Sequence, residues 1–338
     1  MTQSAAVPLR VLIAGAGLMG RWHAGAIARA GGRIVGIADS DMDAARALAA
    51  RYHAPPFASV DAMLSAVPAS VLHLCTPLAT HLPLAQRALA AGLHVLIEKP
   101  LAPDAASTEH LLAEAQARGR LLMPVHQFIF QAGTLAARAQ VAHIGPLIHL
   151  AADAYTAGGE GLDSRGRDQI AADILPHALS LCQEFQACAV DSLAWSCLHP
   201  APGELEAMAQ AGGTSLSIRI STTARPTRNE FTVVGARGTI HLDLFHGFAV
   251  LQTGEVSRLR KAAQPFSFAA QTLTAAGVNL LSRTVQGEPA YPGLRRLIQE
   301  FYRAIHAGRP SPIAPATTLA IARARDRLLA CCGLGDPR

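Results

Sequence analysis

The rhythm of apolar and polar positions changes about a third of the way along the chain. Up to about residue 126, short runs of β-forming residues alternate with alanine-rich stretches of helical character. The runs LRVLIA (9–14), RIVGIA (33–38), VLHLC (71–75), HVLIE (94–98) and LLMPV (121–125) read as strands. Between them, 19–30, 41–53, 81–91 and 104–118 read as helices, and Gly31, Gly32, Gly92 and Gly119 stand where those helices should end. Strands alternating with helices predict a parallel sheet joined by crossover helices.

Beyond residue 126 the β-like runs lengthen. LIHLAADAY (147–155), SLSIRIST (215–222) and FTVVGARGTIHLDLF (231–245) show no regular helices between them, which predicts a mostly antiparallel sheet with one helix inserted near 174–186. The stretches 292–307 and 315–333 are helical again and predict a closing layer. With 338 residues the chain is long enough for two cores, which we place at 1–126 and 127–338, the C-terminal helices being free to pack back on the first. No internal repeat or low-complexity linker interrupts either part.

Composition narrows the class. Half of the residues are hydrophobic, much of that alanine, but no apolar run approaches the roughly 20 residues a membrane span needs. The opening MTQSAAVPLR lacks the charged-then-apolar pattern of a secretory leader, so a soluble cytoplasmic protein is expected. The net charge is +5, yet Lys and Arg are scattered and aromatics make up only 5% of the chain, which argues for an enzyme handling anionic ligands rather than for a nucleic-acid binder. Cys75, Cys182, Cys188, Cys197, Cys331 and Cys332 form no C-x-x-C pair, so neither a disulfide nor structural zinc is expected, and all six read as small buried hydrophobes. No metal site is predicted: His241 and His246, within one β-like run, read as cross-strand neighbours.

The chemistry starts at Gly15-Ala16-Gly17-Leu18-Met19-Gly20, which follows the first strand and opens a helix. The first glycine permits a tight turn, the second lets backbone approach a pyrophosphate, and the third lets helix pack on strand. Asp39 closes the second strand 19 residues after Gly20, where a carboxylate accepts hydrogen bonds from an adenosine ribose diol. Together these predict a Rossmann-type, doubly wound α/β domain. The same carboxylate repels a 2′-phosphate, and Ser40 follows it with no arginine close by, so NAD is expected over NADP.

Residues 95–102, VLIEKPLA, carry a buried-type strand into Glu98, Lys99 and Pro100. Pro100 restricts Lys99 to extended backbone and so fixes its direction. Taken alone, the pattern fits either a solvated ion pair at a strand end or a lysine held beside an oxidised nicotinamide, whose positive charge disfavours the ammonium form and makes it a proton carrier. Short-chain dehydrogenase chemistry is excluded: four residues after Tyr52, Tyr155, Tyr291 and Tyr302 stand Pro56, Gly159, Arg295 and His306, never lysine. Neither a G-x-S-x-G elbow nor an H-E-x-x-H helix is present.

Residues 71–102, VLHLCTPLATHLPLAQRALAAGLHVLIEKPLA, resemble the glucose-fructose oxidoreductase, inositol dehydrogenase and rhizopine catabolism (Gfo/Idh/MocA) family. The shared features are Thr76-Pro77, His81 and Glu98-Lys99-Pro100, with His23 behind the glycine motif; 145–147 (GPL) and 235–240 (GARGTI) resemble later landmarks. The family's second signature is an Asp and a His four apart, matched by Asp173 and His177 in DILPH, with Leu175 in place of a glycine. That spacing puts both on one helix face. Because Pro176 is tolerated only in a first turn, the helix should begin close to Asp173, which leaves open a helix cap at Asp173 and a packed core histidine at His177.

The resemblance implies an NAD-dependent oxidoreductase acting on a small secondary alcohol or carbonyl compound. In it, Lys99, Asp173 and His177 form the catalytic constellation, with His177 taking the hydroxyl proton, Lys99 positioning the oxygen and Asp173 orienting them. Gly15, Gly17, Leu18, Met19, Gly20, Asp39, Thr76, Pro77, His81 and Glu98 would hold the cofactor. It further implies a cis Lys99–Pro100 bond and a homodimer or homotetramer through the second sheet, with no membrane or nucleic-acid partner. Departures from the sugar-oxidising relatives are His126, Gln127 and Phe128, where an Asn and an Arg are usual, and the lead-in GRDQIAADILPH, whose Arg165, Arg167 and Asp168 are expected in a polar loop near the pocket. Two other readings stay open: a silent dinucleotide-binding regulator, and a redox-neutral hydrolase that keeps NAD bound.

Overall fold

The computed structural model describes residues 7–254, 258–288 and 290–335; most of the opening segment read above for a leader lies outside them. The chain divides into two compact units. One comprises 1–125 with 294–322, the other 126–293 with 323–338.

The first unit is built on β1 (Arg10–Ala14), α1 (Leu18–Arg29), β2 (Arg33–Ala38), α2 (Met42–Arg51), β3 (Pro56–Phe57), α3 (Val60–Ala66), β4 (Val71–Leu74), α4 (His81–Ala90), β5 (His94–Ile97), α5 (Ala105–Ala117) and β6 (Leu122–Pro124). Its strands pair in parallel in the order β3-β2-β1-β4-β5-β6. Val11, Leu12, Ile13 and Ala14 are fully buried, as a central strand covered on both faces requires. The chain order reverses between β1 and β4, and there the carboxyl ends of the strands open a crevice. Local chemistry sets the helix starts: the Asp41 carboxylate accepts from the Asp43 and Ala44 amides to begin α2, and the Asp104 carboxylate accepts from the Ser107 amide to begin α5. The doubly wound sheet is the fold expected from the sequence; β3 and α3 are additions too short to show in the apolar pattern.

The second unit continues with α6 (Ala132–Gln140), β7 (Leu147–Tyr155), α7 (Ser164–Phe185), β8 (Ser196–Leu198), β9 (Glu204–Ala211), β10 (Thr214–Ser221), β11 (Arg228–Gly235), β12 (Gly238–Asp243), β13 (Phe248–Thr253) and α8 (Arg258–Gln286). The strand order is β13-β12-β11-β7-β10-β9-β8, with every pairing antiparallel except that of β7 with β10. Leu150, Ala152 and Ala154 of β7 alternate with the half-buried Asp153 and Tyr155, so one sheet face carries the core and takes α7. On the other face Phe268 of α8 brings its ring 5.1 Å from His241.

Three sequence readings are corrected here. Helix α7 begins at Ser164, not near Asp173. Asp163 caps it by accepting from the Gly166 amide at 2.8 Å, and Pro176 sits inside it. Proline removes one donor and crowds the preceding turn, but burial of Ala171, Ala172, Leu175, Leu179 and Leu181 along the same helix outweighs that local loss. Asp173 is therefore no cap, and Arg165, Arg167 and Asp168 are helical rather than in a loop. Second, α8 was not anticipated: Pro265, Gly277 and scattered Thr and Val blur its helical period. Third, Cys197 and Cys331 are joined in a disulfide. They are 134 residues apart in sequence and come together only through the fold, so local spacing could not reveal them. His241 does bond across strands, to Gln252 at 3.0 Å, whereas His246 lies in the turn after β12 and pairs with Asp243.

After the second unit, α9 (Leu294–His306) returns to the first, burying Leu297, Ile298, Phe301 and Tyr302, and packs on α1. The last helix, α10 (Pro315–Cys331), contributes residues to both units. Among the described residues no helix is long and apolar enough to cross a membrane.

Candidate active site

The glycine loop sits at the switch point of the first sheet. Gly15 holds φ +96°, and a Cβ there would fall 2.6 Å from the Cys75 carbonyl oxygen at the end of β4. A Cβ on Gly20 would strike the Gly15 carbonyl, so the helix can approach the loop only with glycine there. Gly17 differs: nothing of the chain lies within 4 Å of where its Cβ would be. It caps α1 with no side-chain hydrogen bond and no acid in the first turn, leaving donors open toward that space. Leu18 is exposed and Met19 half-buried beside it. Asp39 closes the cradle: its Oδ2 accepts from the Ala16 amide at 2.6 Å and its Oδ1 from the Asp41 amide at 2.9 Å. A carboxylate with further lone pairs, open glycine backbone and a helix N-terminus together suit the pyrophosphate and ribose of a dinucleotide.

On the other side of the switch point, β4 and β5 deliver Thr76-Pro77 and Glu98-Lys99. His81 ties these ends together, its Nε2 and Nδ1 lying 2.8 and 3.0 Å from the carbonyl oxygens of Thr76 and Pro100. With only 1% of its surface exposed, it supports the crevice rather than facing it. Glu98 is 8% exposed; one oxygen accepts from the Lys99 amide at 3.3 Å and the other lies 3.0 Å from His23 Nε2. The Lys99–Pro100 bond is cis. Burial pushes the Cys75 thiol well above its ordinary range, and the neighbouring Glu98 charge adds to the effect.

Two residues that sequence reading passed over complete this region. His73 Nδ1 lies 2.8 Å from His23 Nδ1, and Tyr302 of α9 lies 2.9 Å from His73 Nε2. A histidine in the middle of the buried strand VLHL was the available signal for the first; nothing local marks the second.

In the second unit Asp173 and His177 lie one turn apart on α7. Gln169 Nε2 donates to Asp173 Oδ1 at 2.9 Å. The His177 ring lies 4.5 Å from that of Phe128, in a niche lined by apolar residues such as Ala152, Ile174 and Leu244 and also by Asn229, Asp153, Arg219 and Glu230. His126 and Gln127 are buried beside it in sequence. Asp168 turns instead to His199 and the Gly203 amide, at 2.9 and 2.7 Å.

Residues 9–126 match the model of the oxidoreductase family Gfo/Idh/MocA, described as an NAD-binding Rossmann fold. Over these residues the chain is similar to the Gfo/Idh/MocA family. A UDP-N-acetylglucosamine 3-dehydrogenase from Acidithiobacillus ferrooxidans is 35% identical over 135 residues, 38% of this chain and 42% of that one. The matched stretch thus spans less than half the length of this Gfo/Idh/MocA relative. Solved structures extend the likeness in fold to nearly the whole chain. The WlbA dehydrogenase from Bordetella pertussis, in complex with NADH and UDP-GlcNAcA, covers 94% of this chain and 93% of its own at 18% identity, with a TM-score of 0.74. The 3-ketoreductase KijD10 from Actinomadura kijaniata, in complex with NADP, covers 96% and 98% at 18% identity, with a TM-score of 0.73.

Proposed function

We propose that the protein is a nicotinamide-dinucleotide-dependent oxidoreductase that interconverts a secondary alcohol and its ketone on a sugar-like substrate, with NAD preferred. The observation that carries this reading is the glycine loop closed by Asp39, with open space only at Gly17. Asp39 with Ser40 behind it supports NAD, since a ribose 2′-phosphate would meet a carboxylate. The named dehydrogenase and reductase relatives support a carbohydrate hydroxyl or keto group as the reacting centre.

When bound, the nicotinamide ring supplies the hydride acceptor or donor. The chain supplies the rest. His177 takes the hydroxyl proton on its imidazole, Asp173 one turn earlier orients and tunes it, and Lys99 donates a hydrogen bond to the reacting oxygen. Phe128 against His177 gives that proton acceptor an apolar wall. Self-association through the second unit belongs to the same reading. Helix α8 leaves Phe266, Leu273, Leu281 and Val285 exposed, and light scattering on the purified protein should find a dimer or tetramer.

A screen of sugar and cyclitol alcohols with NAD and NADP, followed by nicotinamide absorbance, tests the assignment. Lys99→Ala should lose on the order of a hundredfold or more in kcat with dinucleotide affinity unchanged. Equal turnover by both proteins would remove Lys99 from the mechanism, and a strong NADP preference would overturn the Asp39 argument.

A further inference from the structure

The first unit buries a single file of polar side chains that the proposed chemistry does not call upon: Tyr302 from α9, His73 from β4, His23 from α1, and then Glu98 at the end of β5. The links are 2.9, 2.8 and 3.0 Å, and Tyr302, His73 and His23 are exposed by 4%, 0% and 0%. Four polar groups are costly to bury, and the cost is offset only when each is satisfied.

The file has one consistent polarity. Among the described residues the Tyr302 hydroxyl has a single hydrogen-bond partner, His73 Nε2, and burial keeps the phenol well above its usual pKa and therefore protonated. Its O–H must donate, so His73 Nε2 carries no proton. Burial, with His23 adding to it, holds the pKa of His73 well below the ordinary histidine value, so the ring is neutral and its one N–H is on Nδ1. That N–H donates to His23 Nδ1, which leaves the His23 proton on Nε2, pointed at Glu98 Oε1. Every donor in the file thus points toward the carboxylate. Glu98 in turn accepts from the Lys99 amide on its other oxygen.

We propose that Tyr302, His73 and His23 are positioning residues for the reaction: a polarised relay that holds the Glu98 carboxylate in place, and through it fixes the backbone from which Lys99 reaches the substrate. The proposal rests on the reading of Lys99 as catalytic. Glycine at 32 belongs to the device, because a Cβ there would fall 2.9 Å from the Tyr302 ring and 3.2 Å from its hydroxyl. Among the described residues, the titratable groups facing Glu98 are His23 from α1 and Cys75 at the end of β4; those facing His73 are His23 and Tyr302.

Two arms test it on the full-length protein. Nitrogen-15 NMR of histidine-labelled protein should find His73 neutral with its proton on Nδ1 and His23 protonated on Nε2. A His73 proton on Nε2 would mean the file runs the other way and would overturn the proposal. The second arm is the pH profile of kcat/KM for the best substrate of the screen. Tyr302→Phe, which keeps the ring packing, should lower kcat about tenfold at unchanged dinucleotide affinity and move the acidic limb to higher pH. Fluorotyrosine placed at 302 alone, a stronger donor, should move that limb the opposite way. If Tyr302→Phe overlays wild type while Lys99→Ala abolishes turnover, the relay fails and the proposed function stands. If Lys99→Ala turns over normally, Lys99 leaves the mechanism and the positioning role falls with it, while the oxidoreductase assignment stands and the tautomers alone decide whether the file of hydrogen bonds exists.

Discussion

Gly17 and Gly20 look equivalent in the sequence, yet their surroundings separate them. Gly20→Ala forces the helix off the loop, whereas Gly17→Ala meets only the space intended for the pyrophosphate. Gly17→Ala should therefore fold with an unchanged melting temperature but bind NAD at least about tenfold more weakly in a titration; an equal loss of both would mean the space is structural. His94 carries a pH prediction. Burial, then the nearby Arg120 charge, lowers its pKa from 6.5 to about 4. The folded ring stays neutral while the unfolded chain takes up a proton below 6.5, so this contribution to stability is full above 6.5 and lost as pH falls toward 4. Thermal melts across that window should show the decline, and His94→Gln, which can still accept from the Leu121 amide, should flatten it. The glycine loop, Asp39 and the Glu98-Lys99-Pro100 run were legible because their chemistry lies within a few consecutive residues. His73 and Tyr302 were not, because they are 229 residues apart in sequence and only the fold makes them partners.

Among the elements, α7 shows why boundaries are harder to read than existence. A proline near its middle suggested a start at Asp173, and the true start was written in Asp163, whose carboxylate accepts from the Gly166 amide. Asp163→Ala should cost about 1 kcal/mol in a denaturant titration, while Asp173→Ala, away from the cap, should leave that stability within about 0.5 kcal/mol and act on turnover instead. The strands of both sheets were legible from apolar runs of the right length. Helix α8 was not, since its large apolar residues Phe266, Leu273 and Val285 face outward and mark no buried stripe.

At the scale of the molecule, the Cys197–Cys331 bond joins β8 to the end of α10 within the second unit. Closing so long a loop restricts the unfolded chain by roughly 4–5 kcal/mol on the chain-entropy estimate. Melting with and without reductant, alongside Cys197→Ser, should show a matching drop in both cases; reductant having no effect would mean the thiols are unpaired in solution. The first unit draws its core from two stretches far apart in sequence, because Phe301 and Tyr302, in the segment 294–322, are buried in the same unit as residues 1–125. A ribosome that has made the whole nucleotide-binding sheet has therefore not yet made the helix that covers α1. Until residues 294–322 emerge, that sheet waits with an uncovered flank and a histidine lacking its phenol, so the nascent first unit is a natural client for chaperones through most of its own translation.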